Sequence, residues 1–165
     1  MMDDTYEYYL NKYGYGHHEV DNTYFSISNV KIHFSVNGNL HRENGPAVIW
    51  NDGEHEWFNH GEYHRLDGPA VINGVYRAWF INGKLHRLDG PAIIDVDRQE
   101  WFIDGELHRI DGPAVITGDY QAWYIHGYIV TDKIHEWAKI NNIDLDNLTD
   151  DDKVLIKLVW SDYNG

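Results

Sequence analysis

Apolar and polar positions along this chain follow two periods. Between residues 34 and 131 short strand-forming runs alternate with polar residues and are cut by glycine every 22 or 23 positions; outside that span the spacing turns helical. In Ala78-Trp79-Phe80-Ile81-Asn82-Gly83-Lys84-Leu85-His86-Arg87 an Asn-Gly pair lies between two such runs. It predicts a two-residue hairpin, because a type I′ turn takes positive φ at both central residues. The matching pairs Asn37-Gly38, His60-Gly61, Asp104-Gly105 and His126-Gly127 predict the same turn elsewhere. The Asp-Gly-Pro-Ala that follows each hairpin predicts a sharp bend, since proline lacks a ladder donor and holds the glycine before it extended.

The repeat is explicit. GNLHRENGPAVI starts at Gly38, GEYHRLDGPAVI at Gly61, GKLHRLDGPAII at Gly83 and GELHRIDGPAVI at Gly105, with a degenerate start at Gly127. Trp57, Trp79, Trp101 and Trp123 keep the step, each four residues before its glycine. Each repeat reads as about two strands, so the fold predicted is mainly β: an elongated antiparallel meander in which every hairpin covers the edge of the one before. A two-residue turn at Asn82-Gly83 puts Phe80 opposite Leu85 and Trp79 opposite His86. Alternation then sorts two faces. Phe58, Phe80, Phe102 and Tyr124 with Tyr63, Leu85, Leu107 and Ile129 form the expected core face; Trp57, Trp79, Trp101 and Trp123 with His64, His86 and His108 form the other.

The ends read as caps. Residues 3–13 predict a short helix closed by Gly14, and Tyr24 to Val36 a leading strand. Thr131 is the expected N-cap of a helix carrying Ile134, Trp137 and Ala138; Thr149 with Asp150 to Asp152 opens a second, with Val154, Leu155, Leu158 and Val159 on one face. The expected domains are an N-terminal cap (1–33), the repeat array (34–131) and a C-terminal helical cap (132–165).

The glycine-anchored aromatics and the 22 to 23 residue step resemble the MORN repeat, and the H-R-x-D-G-P-A consensus is similar to repeat proteins of bacteriophages and large DNA viruses. The resemblance covers residues 34–131, about 60% of the chain. It implies an elongated antiparallel sheet, contacts with protein or lipid rather than a reaction, and, for a viral protein, residence in the host cytoplasm.

Composition narrows the chemistry. Without cysteine there is no disulfide, no thiolate metal site and no cysteine nucleophile. No run of 18 apolar residues occurs and the N-terminus is acidic, so the reading is a cytoplasmic protein with no spanning helix. Thirteen Lys and Arg against 27 Asp and Glu give −14, which opposes binding to nucleic acid or anionic membranes. A decoy for DNA is the acidic alternative. Five repeats spanning about 50 Å would replace about 29 phosphate charges, whereas residues 38–127 carry 14 carboxylates interleaved with 7 cations. The excess therefore reads as solubility for an aromatic-rich sheet.

No catalytic motif and no cofactor site is legible, and histidines about 10 Å apart along a sheet cannot share a zinc ion. Protonating all eleven histidines would move the formal charge from −14 to −3, near pH 6. The candidate binding face comprises Trp57, Trp79, Trp101, Trp123, His64, His86, His108, Arg65, Arg87 and Arg109. Its arginines have two readings: a site for a small nucleotide or other anionic ligand, or pairing with Asp67, Asp89 and Asp111 two residues on, with Asn44 in the first copy, to lock the bend. The function expected is a non-catalytic module that binds a host protein, with inhibition of a host defence or regulatory protein as its specialised form. A homodimer is a second way to cover an apolar face.

Overall fold

The computed structural model describes residues 5–20, 23–161 and 163. The chain is a mainly β antiparallel meander with one helix before it and two after it, and it divides into two compact units, Met1–Lys84 and Leu85–Gly165. In the first unit strands Gly16–Val20, Thr23–Ile27, Lys31–Val36, Val48–Trp50, His55–Glu56, Val71–Asn73 and Tyr76–Ala78 lie side by side in that order. In the second, Ile93–Ile94, Arg98–Glu100, Val115–Thr117 and Tyr120–Ala122 do the same.

The glycine-centred turns have the expected form. Asn37, His60, Asn82, Asp104 and His126 all have φ between 48° and 53°, and the glycines after them between 73° and 91°. Register follows: Phe58 faces Tyr63, Phe102 faces Leu107 and Tyr124 faces Ile129.

The antiparallel meander expected is present; the short hairpins lie off its path, apart from Asn39–Leu40, which pairs with Lys31–Val36 inside the main sheet. Each repeat makes a second hairpin from its variable segment. Asn73 pairs with Tyr76 around Gly74-Val75, and Thr117 with Tyr120 around Gly118-Asp119. Gly74 and Gly118, both at φ 53°, supply the positive φ that a type II′ turn needs at its first central residue. The second hairpins build the repeat part of the main sheet, and the glycine-centred ones from His60-Gly61 onward form a tier of separate two-stranded sheets. Two backbone bonds join successive members of that tier: Arg65 N–H to Phe80 O with Gly83 N–H to Tyr63 O, and Arg109 N–H to Tyr124 O with Gly127 N–H to Leu107 O.

The consensus tryptophan is where a strand changes tier. Trp57 N–H donates to Ala70 O in the main sheet (2.8 Å), and Trp57 O accepts from His64 N–H in the short hairpin (3.1 Å). Trp101 does the same with Ala114 and His108. The bend at this residue changes which side chains face inward. Ala70, Ala78, Ala92, Ala114 and Ala122 are fully buried, while Phe58, Phe80, Phe102 and Tyr124 are only half-buried and Ile129 is exposed. The fully buried residues of the repeats are therefore alanines rather than the expected aromatic face.

Larger cores sit at the ends. Helix α1 (Tyr6–Tyr13), capped by the Thr5 hydroxyl and closed by Gly14 at φ 73°, packs Tyr6 and Tyr9 on Phe25, Ile27, Ile32 and Phe34. Of the residues expected in this helix, Asp3 and Asp4 lie outside the described ones. The expected single leading strand is a hairpin, Thr23–Ile27 with Lys31–Val36, preceded by Gly16–Val20. At the other end α2 (Thr131–Asn141) and α3 (Asp150–Trp160) enclose Trp123, Ile125 and Val130 with Ile134, Ile156 and Trp160. Thr149 and Asp152 form a reciprocal capping box on α3. The face of α3 made of Val154, Leu155, Leu158 and Val159 points outward; Ile156 and Trp160 are buried instead.

Candidate functional site

The consensus Arg, Asp, Gly, Pro and Trp converge on one constellation. Arg65 Nε donates to Asp67 Oδ1 at 2.7 Å and its Nη1 to Pro69 O at 3.2 Å, while its guanidinium carbon lies 3.9 Å from the centre of the Trp57 ring. Arg109 repeats this with Asp111 at 2.9 Å, Pro113 O at 3.1 Å and Trp101 at 4.0 Å. Arg87 bonds Asp89 at 2.8 Å and Pro91 O at 3.1 Å. Of the two readings of the arginines, the observed contacts are those that lock the bend.

The glycine of each bend serves this packing. Gly68, Gly90 and Gly112 are not in the left-handed region, yet a Cβ at those positions would stand 3.0, 3.1 and 2.6 Å from the Cζ of Arg65, Arg87 and Arg109. At Arg65 and Arg109 the guanidinium is thus close both to the bend glycine and to the indole ring. The Arg65 and Arg87 hydrogen bonds hold the Asp67 and Asp89 carboxyls below their usual range. At Asp111 burial pushes the carboxyl up, but the Arg109 bond and the charges of Arg109 and Lys157 outweigh it.

The first and last repeats vary the scheme. Phe34 stands in the tryptophan place, with the Arg42 guanidinium 4.2 Å above it and Arg42 Nη2 donating to Tyr9 Oη of α1 at 2.7 Å. At the end Thr131 stands where arginine would, and no following Ala carbonyl meets Trp123 N–H. The Thr131 hydroxyl accepts that bond instead, at 3.0 Å. This use of Thr131 differs from the expected N-cap: α2 has no side-chain cap bond, and Val130 precedes it.

The histidines form a second regular set. Nδ1 of His41, His64, His86 and His108 accepts from the backbone N–H of the next turn's first residue, His60, Asn82, Asp104 and His126, at 3.1 to 3.2 Å. Each bond requires an unprotonated Nδ1. His86 Nδ1 is also 3.0 Å from Asp104 Oδ1. The His41 and His60 rings lie 4.2 Å apart and those of His108 and His126 4.4 Å, contacts between neighbouring repeats that a face-by-face reading of one hairpin misses. Burial and the charge of His126 push His108 down, against a smaller upward pull from Glu106. Among the described residues no three of His, Asp and Glu are grouped to hold a metal ion.

The candidate tryptophans are not equivalent. Trp57, Trp79 and Trp101 are half-buried, whereas Trp123 is 1% exposed beneath α2 and α3. The exposed residues of the repeats include aliphatic ones. Leu66 and Leu88, the consensus residues between Arg and Asp, are 78% and 81% exposed, and Val75 and Val96 stand at hairpin tips. The first unit has an open groove of about 770 Å³ between the Arg42 and Arg65 bends, floored by Trp57 and walled by Glu43, Leu66 and Asp67. The compared protein families, curated proteins and solved structures include none that matches this chain. No helix of the described residues is long and apolar enough to cross a membrane.

Proposed function

We propose that this chain is a non-catalytic protein-binding repeat module. The observation that carries the reading is the division of labour within each repeat: consensus Arg, Asp and His groups are engaged inside the repeat, while Leu66 and Leu88 at the same consensus are left in solvent. A sheet needs no exposed leucine at a fixed position for its own stability, and an aliphatic side chain left in solvent at a consensus position is available to a protein partner. The engagement of Arg65 and Arg109 by carboxylate, carbonyl and indole weighs against a reservoir for nucleotides, since an anion would have to displace all three. In the form implied by the phage and viral resemblance, the partner is a host defence or regulatory protein, met in the host cytoplasm.

The test is affinity capture from extracts of the natural host with the full chain, read by mass spectrometry, with Leu66→Asp and Leu88→Asp variants beside it. A protein retained by the wild type and lost from the variants supports the reading. Capture of nothing, together with saturable thermal stabilisation by a nucleotide, would overturn it.

A further inference from the structure

We infer that the open edge of strand Tyr120–Ala122 docks an extended segment of a protein partner, a short β-branched run followed by a basic residue. The inference rests on the protein-binding reading above and adds a contact surface other than the exposed leucines. Its basis is how the repeats join. The strand before a consensus tryptophan receives the first strand of the next repeat: His55 and Glu56 pair with Ile72 and Val71, and Arg98, Gln99 and Glu100 with Thr117, Ile116 and Val115. Trp57 and Trp101 then donate to the carbonyl of the alanine preceding that strand. Tyr120–Ala122 is the equivalent strand of the last repeat. It pairs with Val115–Thr117 on one side, and among the described residues no strand lies on the other. Thr131 satisfies the Trp123 N–H, but nothing replaces the ladder before it. Thr117 and Tyr120 close a two-residue turn and so bond each other, and alternation then turns the Gln121 N–H and C=O to the open side.

A slot of about 540 Å³ runs beside this edge, between Tyr120 and Gln121 on one wall and His135, Ala138 and Lys139 of α2 on the other. At 3.3 Å per residue, 4.8 Å between strands and 10 Å between layers, three residues of strand fill about 480 Å³. That is the length of Val71–Asn73 and Val115–Thr117, the strands that dock on the equivalent edges. A strand in the slot has α2 beyond it, so a lone segment fits and the edge of a second folded copy does not. Pairing through the backbone gives the affinity, and the continued register sets the side chains. Charge fixes the residue that follows. Asp119, Asp144 and Asp146 line the slot against Lys139. Where two repeats join, Gly118 N–H donates to Asp97 O at 3.1 Å, and Asp119 holds the repeat position of Asp97. The residue after the docked strand therefore comes beside Asp119, where lysine or arginine is the complement.

The probe is the acetylated and amidated peptide Gly-Pro-Ala-Val-Ile-Thr-Lys, the sequence of residues 112–117 followed by lysine. It is titrated into the isotope-labelled full-length protein and followed by NMR. Saturable shifts at Tyr120 and Gln121 and slowed hydrogen exchange of the Gln121 amide are expected. In the continued register the isoleucine N–H of the peptide meets Gln121, so N-methylation of that isoleucine should weaken binding about tenfold or more. The valine N–H points away, and its N-methylation should change the affinity less than about twofold. Glutamate in place of the lysine should weaken binding several-fold at low salt. In the protein, Gln121→Pro removes the edge donor and should abolish the response, whereas Gln121→Thr keeps the backbone and should retain it. If the proline variant does not fold, the two N-methylated peptides decide. Absence of saturable shifts, or equal losses from both N-methylated peptides, overturns the inference. So does a dimer on gel filtration that Gln121→Pro dissociates, which would assign the edge to a second copy. Each of these outcomes leaves the protein-binding reading standing, since that reading falls only on the capture experiment above.

Discussion

The sharpest consequence of the bend geometry concerns a glycine whose backbone conformation does not require glycine. A Cβ added at Gly112 would meet Arg109 Cζ at 2.6 Å and Nη2 at 2.8 Å, closer than side-chain carbons approach a neighbour, so Gly112→Ala must lift the guanidinium from its seat. Three contacts go with it: the stack on Trp101, the bond to Asp111 and the bond to Pro113 O. At about 0.5–2 kcal/mol for the stack and about 0.5–1.5 kcal/mol for each hydrogen bond, partly recovered by rehydration of the arginine, the expected loss is about 2–3 kcal/mol. The diagnostic is the same substitution in an Arg109→Ala background. There the space above Gly112 is empty, its φ suits alanine, and the loss should vanish or reverse to a gain of about 0.4–1 kcal/mol from the stiffer unfolded chain. Urea unfolding of the four proteins, followed by tryptophan fluorescence, closes the cycle. If the two single costs add to within about 0.5 kcal/mol, the guanidinium does not depend on that glycine and the argument fails.

Thr131→Val keeps the shape of the side chain but removes the acceptor of the Trp123 N–H, whose residue is buried; it should cost about 1–3 kcal/mol in the same assay, while Thr131→Ser should restore most of it. Gly83→Val places a β-branched residue at φ 73° in a type I′ turn; a loss of about 1–2 kcal/mol is expected, and wild-type stability would contradict the turn assignment. Lowering the pH from 7.5 to 5 should weaken the fold through His108: its folded pKa lies below the unfolded value, so the unfolded chain takes up the proton first. The stability is complete above about 6.5 and lost as pH falls below it, and His108→Gln should make the denaturation midpoint less steep in that range.

How far the sequence prefigures this structure depends on whether a residue acts within one hairpin or between repeats. The five type I′ turns, the Arg and Asp pairing and the Thr149 cap all involve residues close in the chain, so spacing and residue type reveal them. The second hairpin of each repeat left a weaker trace, Gly74 and Gly118 in segments that otherwise vary, and in the third repeat no glycine stands there at all. The histidine bonds span 18 or 19 residues and run from a ring to a backbone N–H, a pairing that has no sequence signature. The alanine core was hidden for a different reason. Alternation assigns faces to a straight strand, and the change of tier at each tryptophan breaks the alternation, so that the smallest residues rather than the aromatic ones turn inward.

The ends show why that change of tier matters for what the chain can bind. An interior tryptophan is held by the next repeat's Ala carbonyl through its backbone and by the consensus arginine over its ring, so the array continues with its aliphatic consensus residue facing water. At the last repeat both supports are absent: Thr131 replaces the carbonyl, and α2 and α3 replace the arginine as cover for the ring. Covering Trp123 brings α3 onto Ile110 and Asp111 as a by-product of termination. Termination of a repeat array and occupation of its outward face are therefore the same physical event here. Replacing Lys157 by Glu in the full chain should accordingly loosen α3 from Asp111 and raise hydrogen exchange in residues 150–160 more than in α1, and equal exchange in both helices would show that the Asp111 contact does not hold the terminator.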